Sequence, residues 1–106
     1  MYNIQLTKET NTVTISSANG KSFAKIYLNA GASLQELTLN GHPVIQDLTP
    51  LKYSDTYASS ILFPFANRIK DGAYVYNEKT YQLEANQKEE NNALHGLVYN
   101  KTFNIL

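Results

Sequence analysis

Two histidines and a single arginine are the residues of this sequence with the most chemistry to place. His95 lies in Asn92-Ala93-Leu94-His95-Gly96, where a polar stretch meets an apolar one. Imidazole titrates in the physiological range, so a well-placed histidine can give or take a proton at working pH. Gly96 beside it lets backbone or ligand approach closely. The competing role is a strand-end histidine bonded to a neighbouring carbonyl, and position alone favours that role. Arg68 follows Leu62-Phe63-Pro64-Phe65-Ala66-Asn67 and precedes Ile69-Lys70-Asp71-Gly72. An aromatic, proline-containing segment can hold it rigidly, and its planar fork of donors suits the vicinal hydroxyls or ring oxygen of a sugar. A surface arginine paired with Asp71 fits the same spacing. His42, in Asn40-Gly41-His42-Pro43, directly follows a tight turn and reads as solvated. Of the eight tyrosines, Tyr74, Tyr76 and Tyr81 fall at strand periodicity, where cross-strand packing is the commoner role than stacking on a sugar.

Composition removes several other chemistries. Nine basic and nine acidic residues cancel, and the closest basic grouping is Arg68 with Lys70. Nucleic acids and acidic membranes need clustered cations to displace counterions, so neither is an expected partner. The absence of cysteine removes disulfides, thiolate metal sites and cysteine nucleophiles. No phosphate loop, metal-ligand cluster or nucleophile elbow occurs. Glu89-Glu90 reads as a solvated acidic pair. The N-terminus has no basic segment followed by an apolar run, and no stretch approaches bilayer length. The expected location is the cytoplasm.

The elements that would carry these residues read as strands throughout. Thr12–Ser16 alternates polar and apolar residues, and Asn19-Gly20 supplies a hairpin turn. Ala24, Ile26 and Leu28 then share one face of a second strand. Leu37 and Leu39 share a face with which Leu34 is out of phase, which predicts a bulge. Asn40-Gly41 turns the chain into a short strand at Val44-Ile45. Residues 47–56 read as a loop. Residues 59–65 are apolar but hold Pro64, which suits a strand end or loop. Residues 74–76 and 80–83 form a hairpin about Asn77-Glu78. Residues 84–92 read as a polar surface loop without the apolar stripe that would anchor a helix. Residues 94–98 and 102–106 return to strand character. Short strands joined by hairpin turns predict an antiparallel all-β sandwich or barrel. The apolar ending at Phe103-Asn104-Ile105-Leu106 predicts that a further partner strand follows.

Several motifs in order resemble the aldose 1-epimerase family. Ser60 to Tyr74 is similar to the family's Asn-Arg-Ile segment, here Asn67-Arg68-Ile69. Tyr76 to Leu83 resembles its following hairpin, with Asn77-Glu78 standing where a glycine turn is usual. Asn92 to Gly96 resembles its Leu-His-Gly element, and Asn29 to Leu34 its Gly-Ala start. The resemblance covers roughly residues 20 to 106. It implies a galactose mutarotase-like antiparallel β-sandwich, of which residues 1–106 form an N-terminal part. It implies an isomerase that interconverts the anomers of free aldohexoses such as galactose or glucose by acid–base ring opening, without a cofactor. The matching Asn67, Arg68 and His95 would bind the sugar, and Arg68 and His95 would position it and stabilise developing charge. In the family the general acid is a second histidine and the base a glutamate, both later in the chain, so the 106 residues alone are expected to be inactive.

Three other readings remain open on these residues. One is a non-catalytic carbohydrate-binding relative with the same fold. Another is a sugar-phosphate epimerase, which would want a basic cluster for the phosphate. The third is a free-standing β-module in which Arg68 and His95 are structural. Half a sandwich would also leave strand edges open to self-association.

Overall fold

The computed structural model describes residues 1–106, and nearly all its regular elements are antiparallel strands. Five of them form one sheet in sequence order: β1 (Tyr2–Thr7), β2 (Thr12–Ser17), β3 (Phe23–Tyr27), β4 (Ser33–Leu39) and β5 (His42–Ile45). Two smaller ladders follow. β6 (Arg68–Lys70) pairs with β9 (Asn92–Leu94), and β7 (Ala73–Tyr76) pairs with β8 (Lys79–Gln82). The chain divides into two compact units, one of Met1–Ile61 with Tyr99–Leu106 and one of Leu62–Val98. No helix is long and apolar enough to cross a membrane.

In the first unit the alternation that predicts β2 also orders its neighbours. Val13 faces Ile26 and Ile15 faces Ala24, so the apolar residues of β2 and β3 share a face. The Leu34 phase problem resolves as expected. Lys25 pairs with Glu36 and Ile26 with Leu34, which leaves Gln35 as the extra residue of a bulge. The bulge returns Leu34 to the face of Leu37, which lies opposite Ala24. Gln35 is buried, and its Nε2 donates to Ser33 Oγ at 2.8 Å and to the Ala58 carbonyl at 3.0 Å. A buried amide satisfied in this way avoids the cost of an orphaned donor. Asn40 (φ 49°) and Gly41 (φ 82°) turn β4 into β5, both in the positive-φ region the predicted hairpin needs.

Four readings change. Tyr2, Ile4 and Leu6 alternate with polar residues and form β1, a strand that the sequence reading did not assign. A four-residue helix, α1 (Tyr53–Thr56), interrupts the predicted 47–56 loop. It is held from outside: Tyr57 packs edge-on against Tyr53 and Tyr99, and the Tyr53 hydroxyl donates to the Tyr99 carbonyl at 2.8 Å. Residues 94–98 are strand only at Leu94, because consecutive positive φ values at His95 and Gly96 (62° and 76°) end extended geometry. Residues 102–106 form no ladder either; the Phe103 N–H donates to the Leu28 carbonyl at 3.0 Å. Apolar alternation creates a strand only where a partner edge is present.

Candidate functional site

Within the Leu62–Val98 unit, the β6–β9 ladder brings the predicted site residues together across 27 positions of sequence, from Arg68 to His95. Arg68 pairs with Leu94, Ile69 with Ala93 and Lys70 with Asn92. The ladder continues one step past its end, where the His95 N–H donates to the Asn67 carbonyl at 2.9 Å. Asn67 and His95 therefore flank the same end of the ladder, and both have left-handed backbone (φ 64° and 62°). Such geometry is costly for a non-glycine residue and persists only where the surroundings hold it.

Two features hold it. Gly96 sits against the backbone of Phe63: a Cβ there would collide with the Phe63 carbonyl oxygen and lie 2.6 Å from its carbon and 2.9 Å from its nitrogen. The Leu97 N–H then donates to the Phe63 carbonyl at 2.7 Å. Asn86 supplies the second. Its Oδ1 accepts the Leu94 N–H at 2.6 Å and its Nδ2 donates to the Leu94 carbonyl at 2.9 Å. One side chain thus provides both bonds that a neighbouring strand would make to the residue before His95. Ala93, Leu94 and Gly96 are buried, and the His95 ring is part-buried with its Nδ1 shielded from solvent.

Arg68 lies on the exposed side of this ladder. Its Nη1 donates to Asn67 Oδ1 at 3.0 Å and its Nε to Gln87 Oε1 at 3.0 Å. Its charge partner is Glu90, with Oε2 3.8 Å from Nε, rather than the Asp71 suggested by spacing. Asp71 instead accepts from Asn91 Nδ2 at 3.0 Å. Glu90 is correspondingly not a purely solvated acid, although the pair is exposed and of small energetic weight. A guanidinium has five N–H donors. With one on Asn67 and one on Gln87, three on Nη1 and Nη2 remain to engage acceptors such as a pair of adjacent hydroxyls.

The sequence reading found Arg68 and His95 by type and Asn67 by motif, and the ladder brings their backbones together. Asn86 and Gln87 lie in the stretch that reads as plain polar surface. The available signal was a run of amides immediately upstream of Leu94-His95. Amides carry donor and acceptor in one group and can stand in for a strand edge.

The family model for aldose 1-epimerase matches residues 12–106. An uncharacterised protein of Escherichia coli, YihR, is 35% identical over 85 residues, which cover 80% of this chain and 27% of that protein. The bifunctional protein GAL10 of Kluyveromyces lactis is 32% identical over 85 residues, covering 76% of this chain and 12% of GAL10. The crystal structure of a galactose mutarotase-like protein from Clostridium acetobutylicum superposes with a TM-score of 0.68 and 25% identity, covering 96% of this chain and 32% of that one. The chain thus spans about a quarter of YihR, an eighth of GAL10 and a third of the solved chain.

Proposed function

Because the chain belongs to the aldose 1-epimerase family, we propose that the full protein interconverts the α and β anomers of a free aldohexose, galactose or glucose, in the cytoplasm. The observation that carries this reading is the juxtaposition of Asn67 and Arg68 with His95 at one end of the β6–β9 ladder.

The chemistry is acid–base. A base removes the proton from the anomeric hydroxyl while an acid protonates the ring oxygen as the C1–O5 bond breaks. The open-chain aldehyde then rotates about C1–C2 and closes to the other anomer by the reverse transfers. Arg68 contributes fixed N–H donors to a pair of adjacent sugar hydroxyls and so orients the ring for the proton transfers. His95 contributes a second polar contact from the opposite strand. On this reading the acid and the base are a histidine and a glutamate outside the matched motifs, and neither metal nor organic cofactor takes part.

The test is polarimetry on the full protein with freshly dissolved α-D-galactose and α-D-glucose. The expected result is equilibration well above the buffer rate. Arg68→Met should lower kcat/KM by about a hundredfold, the scale of losing a preorganised charged donor. A full protein that binds sugar but leaves the buffer rate unchanged would point to a carbohydrate-binding role and sink the mutarotase reading.

A further inference from the structure

Gln87 is joined both to the candidate sugar-binding arginine and to the strand that leads to His95. Its backbone exchanges two hydrogen bonds with Asn92, at 3.0 and 3.1 Å, so it adds a one-residue bridge to the outer side of β9. Its side-chain oxygen accepts two more, from Arg68 Nε at 3.0 Å and from Asn92 Nδ2 at 3.1 Å. The Asn92 bond fixes where that oxygen sits, and the Arg68 bond transmits the position to the guanidinium.

Glu90 lies 3.8 Å from the same Nε. At that distance the carboxylate does not fix the guanidinium, so the nearer Gln87 oxygen is the contact that sets its direction. With Nε on Gln87 and Nη1 on Asn67, two acceptors define the plane of the fork and point its remaining N–H groups in one direction. An arginine side chain otherwise has much rotamer freedom to lose on binding, so fixing it beforehand raises affinity without any new contact to the ligand.

We infer that Gln87 is a positioning residue for Arg68, setting the direction in which the guanidinium meets a pair of sugar hydroxyls. The inference rests on the sugar-site reading above. Its test uses the full protein in three forms: wild type, Gln87→Met, which keeps the length but removes the acceptor, and Gln87→Glu, which keeps an acceptor oxygen. Polarimetry gives KM and kcat, and NMR titration with galactose and glucose gives affinity separately from turnover. Gln87→Met should raise KM and weaken sugar affinity about tenfold, the scale of one hydrogen bond to a charged group, with kcat changed much less. Gln87→Glu should stay within about threefold of wild type in KM. The thermal midpoint should be similar in all three. Wild-type affinity in Gln87→Met, or equal losses in both variants, would overturn the positioning role. If the wild type binds sugar without interconverting anomers, the mutarotase reading fails while the affinity ratio still decides on Gln87. If the wild type binds no sugar, both fall.

Discussion

From β1 to β4 each strand is held to the next by a ladder of five or six residue pairs, and β4 meets β5 in three. Between Leu62 and Val98 the ladders shrink to three and four pairs, and side-chain amides take over part of the work. Asn86 closes on Leu94, Gln87 on Arg68 and Asn92, Asn91 on Asp71, and Gln82 on the Asp71 carbonyl at 2.9 Å. The first unit adds its side-chain bonds, such as those of Gln35 and Ser22, to longer backbone ladders. The second uses single bonds from named side chains, each fixing one residue. A region organised in the second way is less tolerant of substitution but can place two particular groups, here Arg68 and His95, where a regular sheet would place any pair. Left-handed residues on both flanks, Asn67 and His95, belong to the same pattern.

The contrast is sharpest at glycines with similar backbone. Gly96 (φ 76°) is packed against Phe63 backbone, whereas Gly20 (φ 70°) has nothing near the position of a Cβ. Gly96→Ala should therefore destabilise the full protein by about 3 kcal/mol or more, since backbone must move. Gly20→Ala should cost only about 1 kcal/mol, the ordinary penalty of positive φ. Denaturant unfolding of both variants checks this, and equal costs would break the distinction between the two regions.

A smaller effect is expected from Asn86→Ala, which leaves the N–H and carbonyl of buried Leu94 without their amide partner. The expected loss is about 2 kcal/mol, together with faster hydrogen exchange at the Leu94 amide. Unchanged exchange there would mean that the ladder, not the amide, holds His95 in place.

The smallest effect belongs to the sheet. Burial, followed by its hydrogen bond to Asp47 at 2.8 Å, pushes the Tyr27 phenol up to about 12. Asp47 is itself held below the usual carboxylate range, first by bonds from the Thr49 hydroxyl and amide and then by the Tyr27 hydroxyl. A raised folded-state value favours the neutral phenol. Its contribution is fully present below ~10, where the unfolded phenol also keeps its proton, and is lost as pH rises towards about 12. The ultraviolet difference titration of wild type against Tyr27→Phe should show a step near 12, and a step at the ordinary tyrosine value would count against the Tyr27–Asp47 bond.

Much of this architecture was legible in the residues themselves. Asn40-Gly41 specified its turn because both positions tolerate positive φ, and the phase of Leu34 against Leu37 specified the bulge because side chains alternate every second residue. The Asn-Arg-Ile and Leu-His-Gly motifs marked Arg68 and His95 by type and order. The turn and the bulge are local properties, set by sterics within a few bonds, whereas the motifs carry meaning only through their resemblance to a family. What local sterics do not carry is which edge each strand meets. Thr102–Leu106 has strand-like alternation and no ladder, while β6 and β9 pair through three residues each, because pairing is decided by the edge available in space. Arg68 found Gln87 and Glu90 rather than Asp71 for the same reason: folding brought residues 87 to 95 alongside it, and proximity in space replaced proximity in sequence.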